Sequence, residues 1–211
     1  MKLRGNRVTI RPMGRKDLDA MTEWRPFADP LYQPFDFPRN SKAEQVRWFN
    51  WRKQDAGRRL YAVLDEAGQV IGSLTLREID SQRSSRLGIT LGADFVSQGY
   101  GTEALGLFLD YYFEEMGFKR MILDVAATNL RAVRAYRALG FRRTGHHYRP
   151  ASHSSYRTIR KDPRYRHLLR FFQHQGTSYQ VLFYDMVLTR EDWLAARVEQ
   201  AATSSGKGQE E

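Results

Sequence analysis

The stretch Leu87–Met116, LGITLGADFVSQGYGTEALGLFLDYYFEEM, limits what this chain can fold into more than any other. It opens as a short apolar strand, Leu87 to Leu91, and passes through a loop holding Gly99 and Gly101. A helix starts directly behind that loop, with Leu105, Phe108, Leu109, Tyr112 and Met116 at helical spacing. Gly117 is a suitable stop, because glycine takes the left-handed conformation at a helix end without steric cost. A strand, a glycine loop and a helix tip together make an anion site. The first helical turn has free N–H groups and a partial positive charge, and glycine lets a phosphate come close to the backbone. Val96 to Thr102 (Val96, Ser97, Gln98, Gly99, Tyr100, Gly101, Thr102) therefore predicts a pyrophosphate cradle. The plainer alternative is a glycine-bearing turn in front of a core helix.

The next residues extend the pattern. Arg120 to Val125 reads as a buried strand. Asn129 opens a second helix, with Ala132, Val133, Tyr136 and Leu139 on its inner side and Gly140 as its stop. Asn129 and Tyr136 are seven residues apart, about two turns, and share a face. Val96-Ser-Gln-Gly99-Tyr-Gly101, followed by Asn129-Leu-Arg-Ala132-Val-Arg-Ala-Tyr136-Arg-Ala-Leu-Gly140-Phe141, resembles the cofactor half of the GNAT superfamily of acyl-CoA-dependent N-acetyltransferases. Val96 departs from that family's usual Gln or Arg; backbone amides do most of that loop's work. The resemblance spans roughly Val8 to Leu188 and is strongest from Leu87 to Phe141. RVTIRP near the start and YDMVLTREDW near the end are similar to the branch that acetylates ribosomal-protein N-termini and other small amines.

The resemblance implies an α/β (α+β) fold: a central, mostly antiparallel sheet, splayed between two middle strands near Leu91, with helices on both faces. It implies acetyl-CoA as co-substrate, with the pantetheine arm paired to the backbone of Ile89 and Leu91 and contacted by Asn129. It implies Tyr136 as the general acid for the departing sulfur and Asp124 as general base or water-relay anchor. Each has a structural alternative: a core tyrosine, a helix N-cap for Asn129, a carboxylate paired with arginine for Asp124. Glu78 and Asp80 are rival bases, and the amine can also lose its proton through water. No covalent intermediate is needed, which suits a chain with 0 Cys.

The 211 residues suffice for one domain, expected over 1–200 with a small, polar, disordered tail at 201–211. No apolar run reaches the ~18 residues of a membrane span, and the N-terminus lacks a signal peptide's apolar region, so a cytoplasmic protein without membrane contact is expected. Before the central stretch, strands are expected at Arg7–Arg11, Leu60–Leu64, Val70–Ile79 and Ser84–Leu91, and helices at Lys16–Trp24 and from Ser41 to Gln54. The second opens on a capping box, Ser41-Lys-Ala-Glu44. Its Trp48, Phe49 and Trp51 are expected in the core or a pocket wall. Residues 25–39 hold four of the seven prolines and read as a loop.

The net charge of +10 favours anionic partners. Much of it falls in residues 142–170, with nine Lys or Arg, one acid (Asp162) and interleaved tyrosines. Residues 142–178 read as a basic insertion before a closing strand, Tyr179–Leu188, and a helix through about Gln200. Contact with a ribosome or RNA, a homodimer contact, and a solvated flap are all open for it. The scattered histidines show no metal-ligand spacing, so no metal is expected. Gly99-x-Gly101-x-x-Ala104 also meets the loose dinucleotide fingerprint, but seven residues separate Leu91 from Gly99 and an antiparallel meander precedes the loop. The expected function is acetyl transfer from acetyl-CoA to a primary amine, a protein N-terminus or a small amine, by direct attack. The alternative is a non-catalytic acyl-CoA-binding or RNA- or ribosome-binding module on the same scaffold.

Overall fold

A computed structural model describes residues 1–81 and 83–206, with the side chains of all of these save 153–155 and 200–206. Nine strands form one sheet: β1 (Leu3–Arg4), β2 (Thr9–Pro12), β3 (Arg59–Leu64), β4 (Val70–Asp80), β5 (Ser84–Leu91), β6 (Arg120–Ala126), β7 (Arg142–Ala151), β8 (Phe172–Gln175) and β9 (Ser178–Thr189). Their order is β1-β2-β3-β4-β5-β6-β9-β7, with β8 beside β9. All neighbours are antiparallel except β5 and β6. That exception is imposed by the chain between them. It climbs through α3 (Tyr100–Asp110) and a π-turn, Tyr111–Glu115, before β6, which is the crossover a parallel pair requires.

Alternation along the strands sorts the two faces. Leu74, Leu76, Leu87, Met121, Leu123, Met186 and Leu188 are at most 3% exposed and pack against α3, α4 (Leu130–Ala138) and Trp193 of α6 (Arg190–Gly206). Leu105, Phe108, Leu109 and Tyr112 supply the inner side of α3, as their spacing predicts. Each such side chain contributes roughly 1.5–3 kcal/mol on burial. On the other face, α1 (Arg15–Thr22) and α2 (Lys42–Gln54) close a smaller core of Met13, Leu18, Met21, Trp24, Phe49 and Ala62. The Ser41–Glu44 capping box forms, Gly117 and Gly140 take φ of +73° and +91°, and Thr189 caps α6 through the Asp192 N–H.

Several expectations shift. Trp51 turns outward, 62% exposed, with the Arg58 guanidinium 5.7 Å from its ring; only Phe49 of that trio is fully buried. The basic stretch divides: 142–151 is β7, paired with β9, because its alternating residues have a strand edge to join. What stands out from the sheet is α5 (His153–Lys161) and a 3₁₀ segment, Pro163–Phe171, seated on Ile159, Tyr165, Leu168 and Phe171. Helix α6 continues to Gly206, beyond the expected end, and residues 207–211 of the expected tail lie outside the described residues.

Candidate active site

β5 and β6 pair only from Ser84–Arg120 to Arg86–Ile122. Beyond Arg86 they part, earlier than the expected Leu91, although β5 stays on β4 to Leu91 and β6 stays on β9 to Ala126. The backbone edge of Leu87–Leu91, including Ile89 and Leu91, therefore lines a V-shaped gap.

Two polar clasps hold the closed end of this fork. On the α3 face the Ser85 hydroxyl donates to the Tyr112 hydroxyl at 2.9 Å, and Tyr112 donates to the Arg120 carbonyl at 2.9 Å, one partner on each strand. On the opposite face Arg86 of β5 reaches Asp124 of β6 at 2.9 Å. Asp124 alternates with buried Leu123 and Val125, so it points away from the main core. Its side chain is 4% exposed and also meets Arg149 at 2.8 Å and Arg77 at 3.6 Å. Three guanidinium groups occupy its oxygens, which is why so polar a residue is tolerated there. These three arginines share the lone pairs that the general-base role expected of Asp124 would use. Glu78, at φ +52° beside a register break in β4, pairs with Arg86 at 2.8 Å, and Asp80 closes the β4–β5 turn by accepting the Arg83 N–H through its carbonyl at 2.6 Å.

At the open end lies the glycine loop. Gly99 caps α3 at φ +87°, Ser97 lies at φ +61°, and the Gln98 side chain is tied back to the Asp94 carbonyl. The first amide of α3 to find a backbone acceptor is Glu103 N, on Gly99 O at 3.0 Å, so the preceding amides of the turn remain as donors. A Cβ on Gly101 would come 2.9 Å from Leu91 Cδ1, so the loop sits directly on the end of β5. These features suit a diphosphate: free amides, a helix tip and no side chain at Gly99 or Gly101.

Arg7, which the sequence did not single out, packs on this loop. Its Nη1 donates to the Gln98 carbonyl at 3.0 Å, its Nε to Glu103 at 3.0 Å, and its guanidinium stacks 4.9 Å from the Tyr100 ring. The peptide is trans, so the Gly99 N–H points away from the carbonyl that Arg7 holds. Arg7 braces the loop from its carbonyl side without covering that amide.

Helix α4 follows the parted end of β6. Asn129 caps it by accepting the Ala132 N–H at 3.2 Å, which leaves its amide N–H groups for a ligand. Tyr136 is 8% exposed and packs edge-on to Phe141 at 5.6 Å. No group of the described residues bonds its hydroxyl. Burial first, and then the negative charge of Asp124, push its phenol far above the ordinary tyrosine range, so it holds its proton at any physiological pH. Loop 25–39 and the insertion meet above this region: the Tyr165 hydroxyl bonds Asp29 at 2.5 Å and Leu31 packs on the Leu168 cluster. Among the described residues no group of three His, Asp or Glu is placed to hold a metal ion.

The sequence could have pointed to the arginine cluster through strand parity. Arg77, Arg86 and Asp124 each sit one residue from a buried leucine or isoleucine-type core position, so all three share the other face. It held no signal for Arg7, which lies 91 residues from the carbonyl it holds.

Residues 7–142 match the family model described as an acetyltransferase (GNAT) domain. The spermidine N(1)-acetyltransferase of Vibrio cholerae is 27% identical over 142 residues, 67% of this chain and 82% of that protein. The spermidine N(1)-acetyltransferase of Escherichia coli K12 is 27% identical over 135 residues, 64% of this chain and 72% of its own. A crystal structure of the Vibrio cholerae enzyme in complex with CoA and spermine shares the fold, with a TM-score of 0.67 at 22% identity over 90% of this chain and 99% of that one.

Proposed function

This chain belongs to the GNAT acetyltransferase family, and from that premise we propose how its cleft carries out acetyl transfer from acetyl-CoA to an amine. The observation that carries the reading is the fork itself: a parted β5–β6 pair with the Gly99 loop at its open end, and Tyr136, whose side chain is mostly buried but whose hydroxyl is unbonded, within reach of the charge of Asp124. The amides of Val96–Thr102 hold the diphosphate, and the free backbone edge at Ile89 and Leu91 pairs with the pantetheine arm, with Asn129 beside it. The amine nitrogen bonds to the thioester carbon, the C–S bond breaks, and Tyr136 gives its proton to the departing sulfur. Asp124 anchors the closed end of the fork rather than acting as base, and the amine loses its proton to water in the cleft.

The relatives named as spermidine N(1)-acetyltransferases make a polyamine the first acceptor to try, with peptide N-termini next. Mass spectrometry of acetyl-CoA incubations with polyamines, peptides and amino acids tests the reading. Transfer that depends on Tyr136 supports it; cofactor binding with no acetylated product across the panel favours the acyl-CoA-binding alternative.

A second reading concerns partners. Arg157, Arg160, Lys161, Arg164, Arg166 and Arg170 of the insertion are all exposed, and Asp162 among them is bound by Arg164. That array suits a polyanion such as ribosomal RNA. Filter binding whose affinity falls steeply with salt supports it, and a salt-independent or absent signal removes it. The use of acetyl-CoA as co-substrate supports a cytoplasmic site for the reaction.

A further inference from the structure

The sheet face opposite the main core gathers more arginines than carboxylates. Arg52 of α2, Arg58, Arg77 of β4, Arg86 of β5 and Arg149 of β7 lie on it, against Asp55, Glu78, Asp124 and, across from Asp124 on β9, Asp185, which pairs with His147. Arg52 has no carboxylate partner among the described residues; its guanidinium lies 4.3 Å from the Trp48 ring. Burial, then the charges of Arg58 and Arg77, make its proton easier to lose than an arginine's ordinarily is. The only buried side-chain nitrogen or oxygen atoms left without a hydrogen bond among the described residues are Arg52 Nε and Arg77 Nε. Both belong to this one cluster.

Buried donors are ordinarily satisfied, because a lone one is costly, and like charges in a half-buried site repel. A guanidinium pair with free N–H groups matches a carboxylate or phosphate, which takes two donors at once. The cluster is next to the closed end of the fork, since Arg77 and Arg86 are paired neighbours on β4 and β5 and Arg86 is the last β5 residue joined to β6. A polyamine, with several positive charges, is repelled from the same floor.

We propose that the acceptor amine carries an anionic group, a carboxylate or a phosphate, which docks on Arg52 and Arg77 and presents the amine to the fork beside Arg86. This rests on the acetyl-transfer reading above and narrows it to a substrate class.

The test measures CoA release with matched acceptors: amino carboxylic acids against their primary amides, aminoalkyl phosphates against the corresponding alcohols, and spermidine. The expected result is a preference of ~10-fold or more in kcat/KM for the anionic member of a pair, the two arms telling carboxylate from phosphate. Arg52→Gln should raise KM for that acceptor about 10-fold while leaving acetyl-CoA KM and turnover of the uncharged amine in place, and Arg77→Gln should raise the same KM, with melting temperature checked for each. Spermidine or an uncharged amine outperforming its anionic partner overturns the proposal and leaves acetyl transfer standing. Variants that raise KM equally for charged and uncharged amines overturn it as well. No CoA release with any amine, in protein that binds acetyl-CoA, sinks the catalytic reading and this inference together.

Discussion

Arg86 Nη1 lies 2.9 Å from Asp124 Oδ1, spanning β5 and β6 at the last point where the two strands are still paired. Asp124→Asn leaves Arg77, Arg86 and Arg149 facing one another without their shared carboxylate. Breaking a buried pair from one side costs about 3 kcal/mol or more, so the melting temperature should fall by roughly 6–12 °C. A change within 2 °C would mean that solvent already screens the cluster, and the anchoring role would go.

Tyr136→Phe should lower kcat by about 100-fold or more while the acetyl-CoA dissociation constant moves less than about threefold. Steady-state kinetics paired with calorimetry reads both. An unchanged kcat would remove Tyr136 as the proton donor to sulfur and return it to the core.

The same residue makes a pH prediction. Burial and Asp124 raise the Tyr136 pKa, so the phenol stays protonated well past the usual tyrosine range. The rate should therefore climb with pH as the acceptor amine loses its proton, and should show no fall from loss of the acid up to about pH 10. A descending limb below pH 10 that vanishes in Tyr136→Phe would contradict this assignment of its environment.

Gly99→Ala probes the loop. At φ +87° an alanine is strained by about 1–2 kcal/mol, and its Cβ would approach the Arg7 guanidinium at 2.8 Å. Acetyl-CoA affinity should weaken by about tenfold or more, with Arg7→Ala giving a smaller loss through the slackened loop. Tight binding by the Gly99 variant would show that the diphosphate lies elsewhere.

Asp17 sets an acid limit to stability. Burial alone would raise its pKa, but two 2.7 Å bonds from Arg11, the Gly14 N–H and the Arg11 charge together hold it below the usual carboxylate range. A lowered folded pKa stabilises above the unfolded carboxyl value of about 3.9 and is lost as pH falls through the folded one. Asp17→Asn should thus destabilise at pH 7, and its difference from the parent protein should shrink below about pH 4. Parallel denaturation curves at pH 7 and 3 decide the matter.

The elements legible beforehand were those whose cause is local. The Leu105–Tyr112 spacing marks the inner side of α3, Ser41 and Glu44 announce α2, and the positive φ of Gly99, Gly117 and Gly140 sits where glycines stood in the sequence. A basic, histidine-rich string hides a strand: residues 142–151 become β7 only through pairing with β9, some thirty to forty-five positions later.

By itself, then, the sequence determined the order of strand, glycine loop and helix, and the family, since helical period, capping and glycine φ act over a few residues. Tertiary structure alone decided where β5 and β6 part, that Asp124 anchors arginines from three other strands, and that Arg7 braces the Gly99 loop. The physical reason is range: charges and strand edges take their partners from whatever the folded sheet brings within a few ångströms, and no spacing along the chain records that.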